Sequence, residues 1–317
     1  MRPERDCAAI SLEPAARMMH TAANMHRPAH PLDHIVLPTE SLGAAEARLA
    51  ALGFTVAPRG IHPFGTENCC VYLADGTFLE PLAVGDAEVA AQAIMAGNVF
   101  VARDHTYREE HGAEGFSAIV FGTEDADADH RAYVEANISA GERLDFSRPF
   151  TDRSGKSDTV SFRLAFASGR DTPDAFVFAC QRVNAPKVDR AALQAHANGA
   201  VAIRGVVAVS DDVARLRKLL AIAAGAPNKA AVAESRLALP NADIELMHGA
   251  EYEAKFGLGA GARSALRFVA VVFATADLVA TERLLVSAHV KHHLRDGRLV
   301  VPQADGQGAA FIFEERT

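Results

Sequence analysis

Two side chains in this sequence stand where chemistry is easiest to imagine. His34 lies inside the apolar run Leu32-Asp33-His34-Ile35-Val36-Leu37, and Glu80 lies inside Phe78-Leu79-Glu80-Pro81-Leu82. Short apolar runs of this kind read as buried strands, so each run carries one titratable group into an apolar setting. An ionised carboxylate is costly to bury unpaired. Glu80 therefore calls for a metal, an acid–base role or a cationic partner such as Arg59. Without a metal, burial is expected to raise its pKa toward that of a useful base. The imidazole of His34 suits a borderline divalent metal, and its other reading is a core histidine satisfied by a backbone carbonyl. A second cluster follows in Gly60-Ile61-His62-Pro63-Phe64-Gly65-Thr66-Glu67-Asn68. Pro63 holds His62 extended and Gly65 permits a tight turn. This loop either presents His62 and Asn68 to a ligand or is a bulge braced by Thr66 and Asn68.

The elements that must position these groups form one unit. Residues 32–38 read as a strand. Leu42, Ala45, Leu49 and Leu52 then fall at helical spacing, with Ser41 as N-cap and Gly53 as C-cap. Phe54-Thr55-Val56 reads as a second strand ended by Pro58, Cys69–Leu73 as a third, Asp75-Gly76 as a hairpin turn and Thr77–Val84 as a fourth. After a connecting helix from Asp86, the same order restarts near residue 116, again near 201 and again near 266. The third copy is short and lacks a strand. One helix per three strands excludes a simple parallel βαβ array and predicts an α+β fold with helices on one sheet face.

The bulk properties narrow the function classes. A chain of 317 residues has room for two domains. A formal charge of −8 and the lack of a basic run argue against nucleic acid, and no apolar stretch is long enough for a bilayer. Four cysteines without a CxxC motif read as reduced thiols of a cytoplasmic protein. Cys69 and Cys70 should face opposite sides of their strand. Residues 1–30 read as a disordered leader.

The βαβββ unit in tandem resembles the vicinal oxygen chelate superfamily of glyoxalases, extradiol dioxygenases, epimerase-like isomerases and bleomycin-resistance proteins. The Leu-Asp-His-Ile-Val opening, the His-Pro-x-Gly-Thr-x-Asn segment and the Phe-Leu-Glu closing are similar to its glyoxalase-like domain subgroup. The likeness is strongest over residues 30–84, weaker over 112–205, and rests on pattern alone beyond. It implies four βαβββ modules paired into two glyoxalase/bleomycin-resistance/dihydroxybiphenyl-dioxygenase-like domains, 31–187 and a degenerate 188–317.

It also implies a divalent metal (zinc, nickel, manganese or iron) in the cup between two modules, stabilising an enolate-like anion. His34, Glu80 and Gln181 are the metal ligands so implied. His62 and Glu80 are the catalytic candidates, and Asn68, Thr66 and Gln181 the substrate-binding ones. Module two is the weak side. Ser117 or Ala118 falls at the His34 position, and Gln181 or Arg182 where a carboxylate is expected. His196, His105 or His111 would have to complete the set. Modules three and four keep Glu245 and Glu314 without a histidine. The expected function is a glyoxalase-like lyase or isomerase acting on a small oxygenated substrate. The alternative is a metal-free small-molecule binder of the drug-sequestering type, and a third reading is an interaction protein with a decayed site. The expected partners are a small molecule and a second copy of the chain.

Overall fold

The computed structural model describes residues 28–151, 157–169, 176–184, 189–227, 235–261 and 266–316. Most of the expected leader, with Cys7, lies outside these residues. Its end is packed: His30 is buried, and its Nε2 lies 2.9 Å from Asp129 Oδ1. The domain boundary expected after residue 187 falls beside 185–188, which are also outside the described residues.

The first module contains β1 (Leu32–Pro38), α1 (Leu42–Ala51), β2 (Gly60–Ile61), β3 (Thr66–Asn68), β4 (Val71–Tyr72) and β5 (Phe78–Val84). Helices α2 (Ala87–Met95) and α3 (Val99–His111) lead to β6 (Ala118–Gly122), α4 (Ala126–Glu135), β7 (Leu144–Thr151), β8 (Ser157–Ala167) and β9 (Phe176–Asn184). A short 3-10 turn at Ala191–Leu193 precedes β10 (Ala200–Val209), α5 (Val213–Ala223), β11 (Arg236–Ala238), β12 (Asp243–Met247) and α6 (Gly249–Phe256). The last module is β13 (Arg267–Thr275), α7 (Leu278–Ser287), β14 (His293–Arg295), β15 (Arg298–Val301) and β16 (Ala310–Glu315).

Among the described residues these strands form two sheets. One runs β2-β3-β5-β1-β6-β9-β8-β7 with β4 also on β5, and the other runs β11-β12-β10-β13-β16-β15-β14. Each sheet is built from two modules joined through antiparallel first strands, β1 with β6 and β10 with β13. Within each module the first and last strands pair in parallel. The α+β reading and the paired modules are therefore as expected, while the strand expected to be missing from the third copy falls beside residues 228–234, which lie outside the described residues.

Sequence explains most local features. Gly53 sits at φ +82° after α1, where Phe54 N–H closes onto Leu49 O. Asp296 and Gly297 both have positive φ between β14 and β15. Two expectations fail. Phe54–Val56 is not a strand, because Thr55 donates its N–H to His196 Nδ1 and its hydroxyl to Ala195 O. Phe54 instead enters the core between the sheets, 5.2 Å from the ring of Phe273. The segment expected as a loop holds β3, and the third strand is split at Cys69-Cys70. The register places residue 69 opposite Pro81, which has no N–H to give the ladder.

The helices explain how two sheets make one body. Leu49 of α1, Tyr133 of α4, Leu220 of α5 and Leu285 of α7 share one core with strand residues of both sheets. The opposite face of the first sheet forms a cup, partly lined by Phe64, Phe100 and Phe178. Against the matching face of the second sheet pack Tyr252 and Phe256 from α6.

Candidate functional site

The site begins with an irregularity in β1. The pairing to β6 steps from Leu32 opposite Phe121 to His34 opposite Val120, so one extra residue, Asp33, is accommodated on β1. Such a bulge re-aims side chains that a regular strand would point apart. Asp33 Oδ2 consequently lies 2.7 Å from His34 Nδ1. Asp33 also receives two hydrogen bonds from Arg182 on β9, at 2.6 and 2.7 Å. His34 is buried in the cup, stacked on Phe78 with ring centroids 4.3 Å apart.

On the far side of His34 stands Glu80. His34 Nε2 is 3.3 Å from Glu80 Oε2. Asn68 on β3 donates its side-chain N–H to Glu80 Oε1 at 2.7 Å. His62 Nε2 is 3.7 Å from that same oxygen, and its Nδ1 shares a 2.9 Å hydrogen bond with Thr66 Oγ1. The four residues 62–65 are thus the tight turn of a hairpin between β2 and β3. Gly65 at φ +87° makes it possible, and a Cβ there would lie 2.5 Å from Ala90 N.

These contacts fix the charges. Burial alone would raise the Glu80 carboxyl. The hydrogen bond and charge of His34, with help from His62 and Asn68, more than offset it and hold the pKa at about 2. The expectation of a raised Glu80 pKa is therefore wrong, because its neighbour is cationic. Burial would likewise neutralise His34, but the hydrogen bonds and charges of Asp33 and Glu80 raise its pKa. Asp33 is desolvated too, and His34 with Arg182 brings it down to about 2. Burial dominates at His62 and lowers it to about 4, with Arg148 and His34 adding to the effect against Glu80. The result is a chain of alternating charge, Arg182–Asp33–His34–Glu80, ending at a neutral His62.

This chain forms one wall of a cavity of about 770 Å³. Phe64, Phe78, Phe100, Phe146, Phe162 and Phe178 supply the apolar surface, and Cys70, Tyr72, Cys180 and Arg148 complete it. Cys69 points to the other face, against Leu42 and Ala45, as the strand alternation required. A carboxylate, an imidazolium and a neutral imidazole within reach of one ligand can move protons and stabilise a developing oxyanion.

Not every candidate residue joins this group. Gln181 is turned away: its Nε2 donates to Glu124 O and its Oε1 accepts from Ala126 N, so it holds the start of α4. The β6–β9 register sets Ala118 beside Phe176, as β1–β5 sets His34 beside Phe78. Ala118 and Phe178 are therefore the module-two counterparts of His34 and Glu80, and neither can ligate a metal. His196 spends both ring nitrogens on the backbone at Thr55 and Tyr72. His105 is exposed beside Glu109, and Arg59 pairs with Glu46 rather than with Glu80. In the second half Glu245 pairs with Lys255, and Glu314 with Arg298.

The metal implied by the resemblance is not matched by this donor set. Among the described residues no group of three or more His, Cys, Asp or Glu side chains is placed to hold a metal ion. The Glu80 oxygen nearest His62 already accepts the Asn68 N–H, and both nitrogens of His34 face carboxylates. Asp33, Arg148 and the true register of β9 were missed in the sequence reading. The adjacent Asp-His pair was the available signal for Asp33, and the bulge that makes it useful has no local signature.

A family model described as a glyoxalase-like domain matches residues 32–224. A search of the curated proteins gives no match. A hypothetical protein from Staphylococcus aureus superposes with TM-score 0.59 at 15% identity, covering 90% of this chain and 99% of that one. A mutant 4-hydroxymandelate synthase from Streptomyces coelicolor gives TM-score 0.58 at 13% identity, covering 92% and 94%. A xylose isomerase-like TIM barrel/4-hydroxyphenylpyruvate dioxygenase fusion protein gives 0.52 at 10% identity, covering 92% of this chain and 49% of that one. At such identities the structural likenesses speak for the fold alone. Among the described residues no helix is long and apolar enough to cross a membrane.

Proposed function

Since the chain belongs to the glyoxalase-like domain family, within the vicinal oxygen chelate superfamily, we propose that its first cup is the active site of a proton-transferring enzyme. The reaction is a lyase or isomerase step on a small oxygenated substrate. The observation that carries this reading is the ionised Glu80 held between His34 and His62 on the wall of an apolar cavity.

The steps follow from the charges. A substrate carbonyl entering beside Glu80 competes for the His34 N–H. Taking that hydrogen bond frees the carboxylate, and burial then raises its basicity. Glu80 accepts the proton from the carbon next to the carbonyl. The C–H electron pair moves into the carbonyl, and the resulting enolate oxygen is stabilised by the His34 imidazolium in a poorly solvated site. Return of the proton to a different atom completes an isomerisation, and departure of a β-substituent completes a lyase reaction. Thr66 orients His62, and Asn68 steers Glu80 through its amide. No step is assigned to a metal, because the donors as placed do not form a site for one.

The aromatic wall also supports the alternative of a drug-sequestering binder, for which a ligand leaves unchanged. Incubating chelator-treated protein with a panel of small carbonyl compounds in D2O separates the two readings. The enzymatic reading expects deuterium at the carbon next to the carbonyl, followed by NMR. Recovery of every compound without label overturns it.

A further inference from the structure

Arg148 on β7 is the one cavity-lining cation that is partly buried and has no ion pair among the described residues. Its Nε is buried without a hydrogen-bond partner. The other buried charges of the cavity are matched. Glu80 faces His34 and Arg182 is held by Asp33, while Arg190 stands at the exposed rim over the Tyr72 ring. A buried N–H without an acceptor is costly, and the Arg148 Nε–H calls for an explanation.

The fold holds Arg148 in place deliberately. Strands β2 and β7 are the two ends of the first sheet, yet the guanidinium of Arg148 on β7 reaches Gly60 on β2. A Cβ at position 60 would collide with Arg148 Nη1 and Asn68 Oδ1. Phe146, two residues earlier on β7, packs 5.1 Å from Phe64 in the same closure. The sheet therefore curls until its ends meet, and Arg148 crosses the seam into a space otherwise walled by phenylalanine.

We infer that the ligand of this cup is a small organic anion with an apolar body, its carboxylate or similar oxyanion paired with Arg148. This deepens the enzymatic reading above and rests on the same cavity. A guanidinium presents parallel N–H groups that match a carboxylate, and the phenylalanine walls suit an aryl or alkyl remainder. The adjacent Glu80 does not repel such a ligand, since His34 neutralises it.

Calorimetric titration with 3-phenylpropionate and its uncharged analogue 3-phenylpropionamide tests this. The wild type should prefer the anion by at least tenfold. Arg148→Gln should abolish that preference while keeping amide affinity within twofold, which also shows that the variant is folded. Gly60→Ala, which pushes the guanidinium aside, should weaken the preference. Equal affinities in the wild type, binding of neither probe, or an unchanged preference in Arg148→Gln overturns the inference. Anion preference without deuterium exchange would leave it standing and sink the enzymatic reading. Exchange on neutral carbonyl compounds without anion preference would do the reverse.

Discussion

Glu80 owes its ionised state to what surrounds it. His34 bridges Asp33 and Glu80, so removing that imidazole leaves two desolvated carboxylates facing each other's field. His34→Gln is expected to cost about 3 kcal/mol at neutral pH, read by urea unfolding, as loss of one partner from a buried ion pair does. The pH dependence has two limbs. The raised pKa of His34 gives stability that is complete below 6.5 and lost as pH rises through the folded value. Asp33 and Glu80, both held at about 2, give stability that is complete above 3.8 and 4.5 and lost as pH falls toward 2. His62, at about 4, adds an acid-side loss that starts as pH drops below 6.5. Stability measured across pH should therefore fall in both directions, and His34→Gln should remove the alkaline limb together with most of the Glu80 share of the acid limb, leaving Asp33 held by Arg182 and the loss at His62. The residues themselves were legible in the sequence, because a titratable group in an apolar strand is conspicuous. Their charges were not, because those depend on a bulge at Asp33 and on Arg182 arriving from a strand far along the chain.

Two small elements set the site. The hairpin between β2 and β3 brings His62 and Asn68 to Glu80, and it turns on Gly65. Gly65→Ala places a side chain at positive φ and against Asp86 O and Ala90 N. A loss of about 2 kcal/mol or more is expected by thermal unfolding, since backbone cannot step aside as a side chain can. The break at Cys69-Cys70 is the other element, and Pro81 explains it. Most strands and helices could be placed from periodicity and turn residues. Phe54–Val56 could not, because its alternation fits a strand equally well, and only the arrival of His196 decides where its backbone bonds go.

At the scale of the molecule, the four modules were readable as a repeat, and their back-to-back packing was not. Helices from both halves share one core, and Phe54 stacks among Phe273, Phe311 and Phe313 of the second sheet. Further ties cross the same boundary: Tyr133 donates to Ala223 O, and the Asn241 side chain bonds both N–H and O of Leu32. The second half thus braces the first from behind, with Tyr252 and Phe256 of α6 packed against its own outer sheet face. Expressed alone, residues 31–187 should lack a cooperative unfolding transition that the whole chain shows, as followed by calorimetry. A sharp transition in the fragment would contradict a shared core.

Whether Glu80 takes a proton from carbon is read from the rate of C–H deuteration in D2O, with chelator present, in the wild type and in Glu80→Gln. Exchange is expected from the wild type, with a loss of at least about a hundredfold in the variant, the scale of a removed general base. Equal rates in the two proteins would contradict that role.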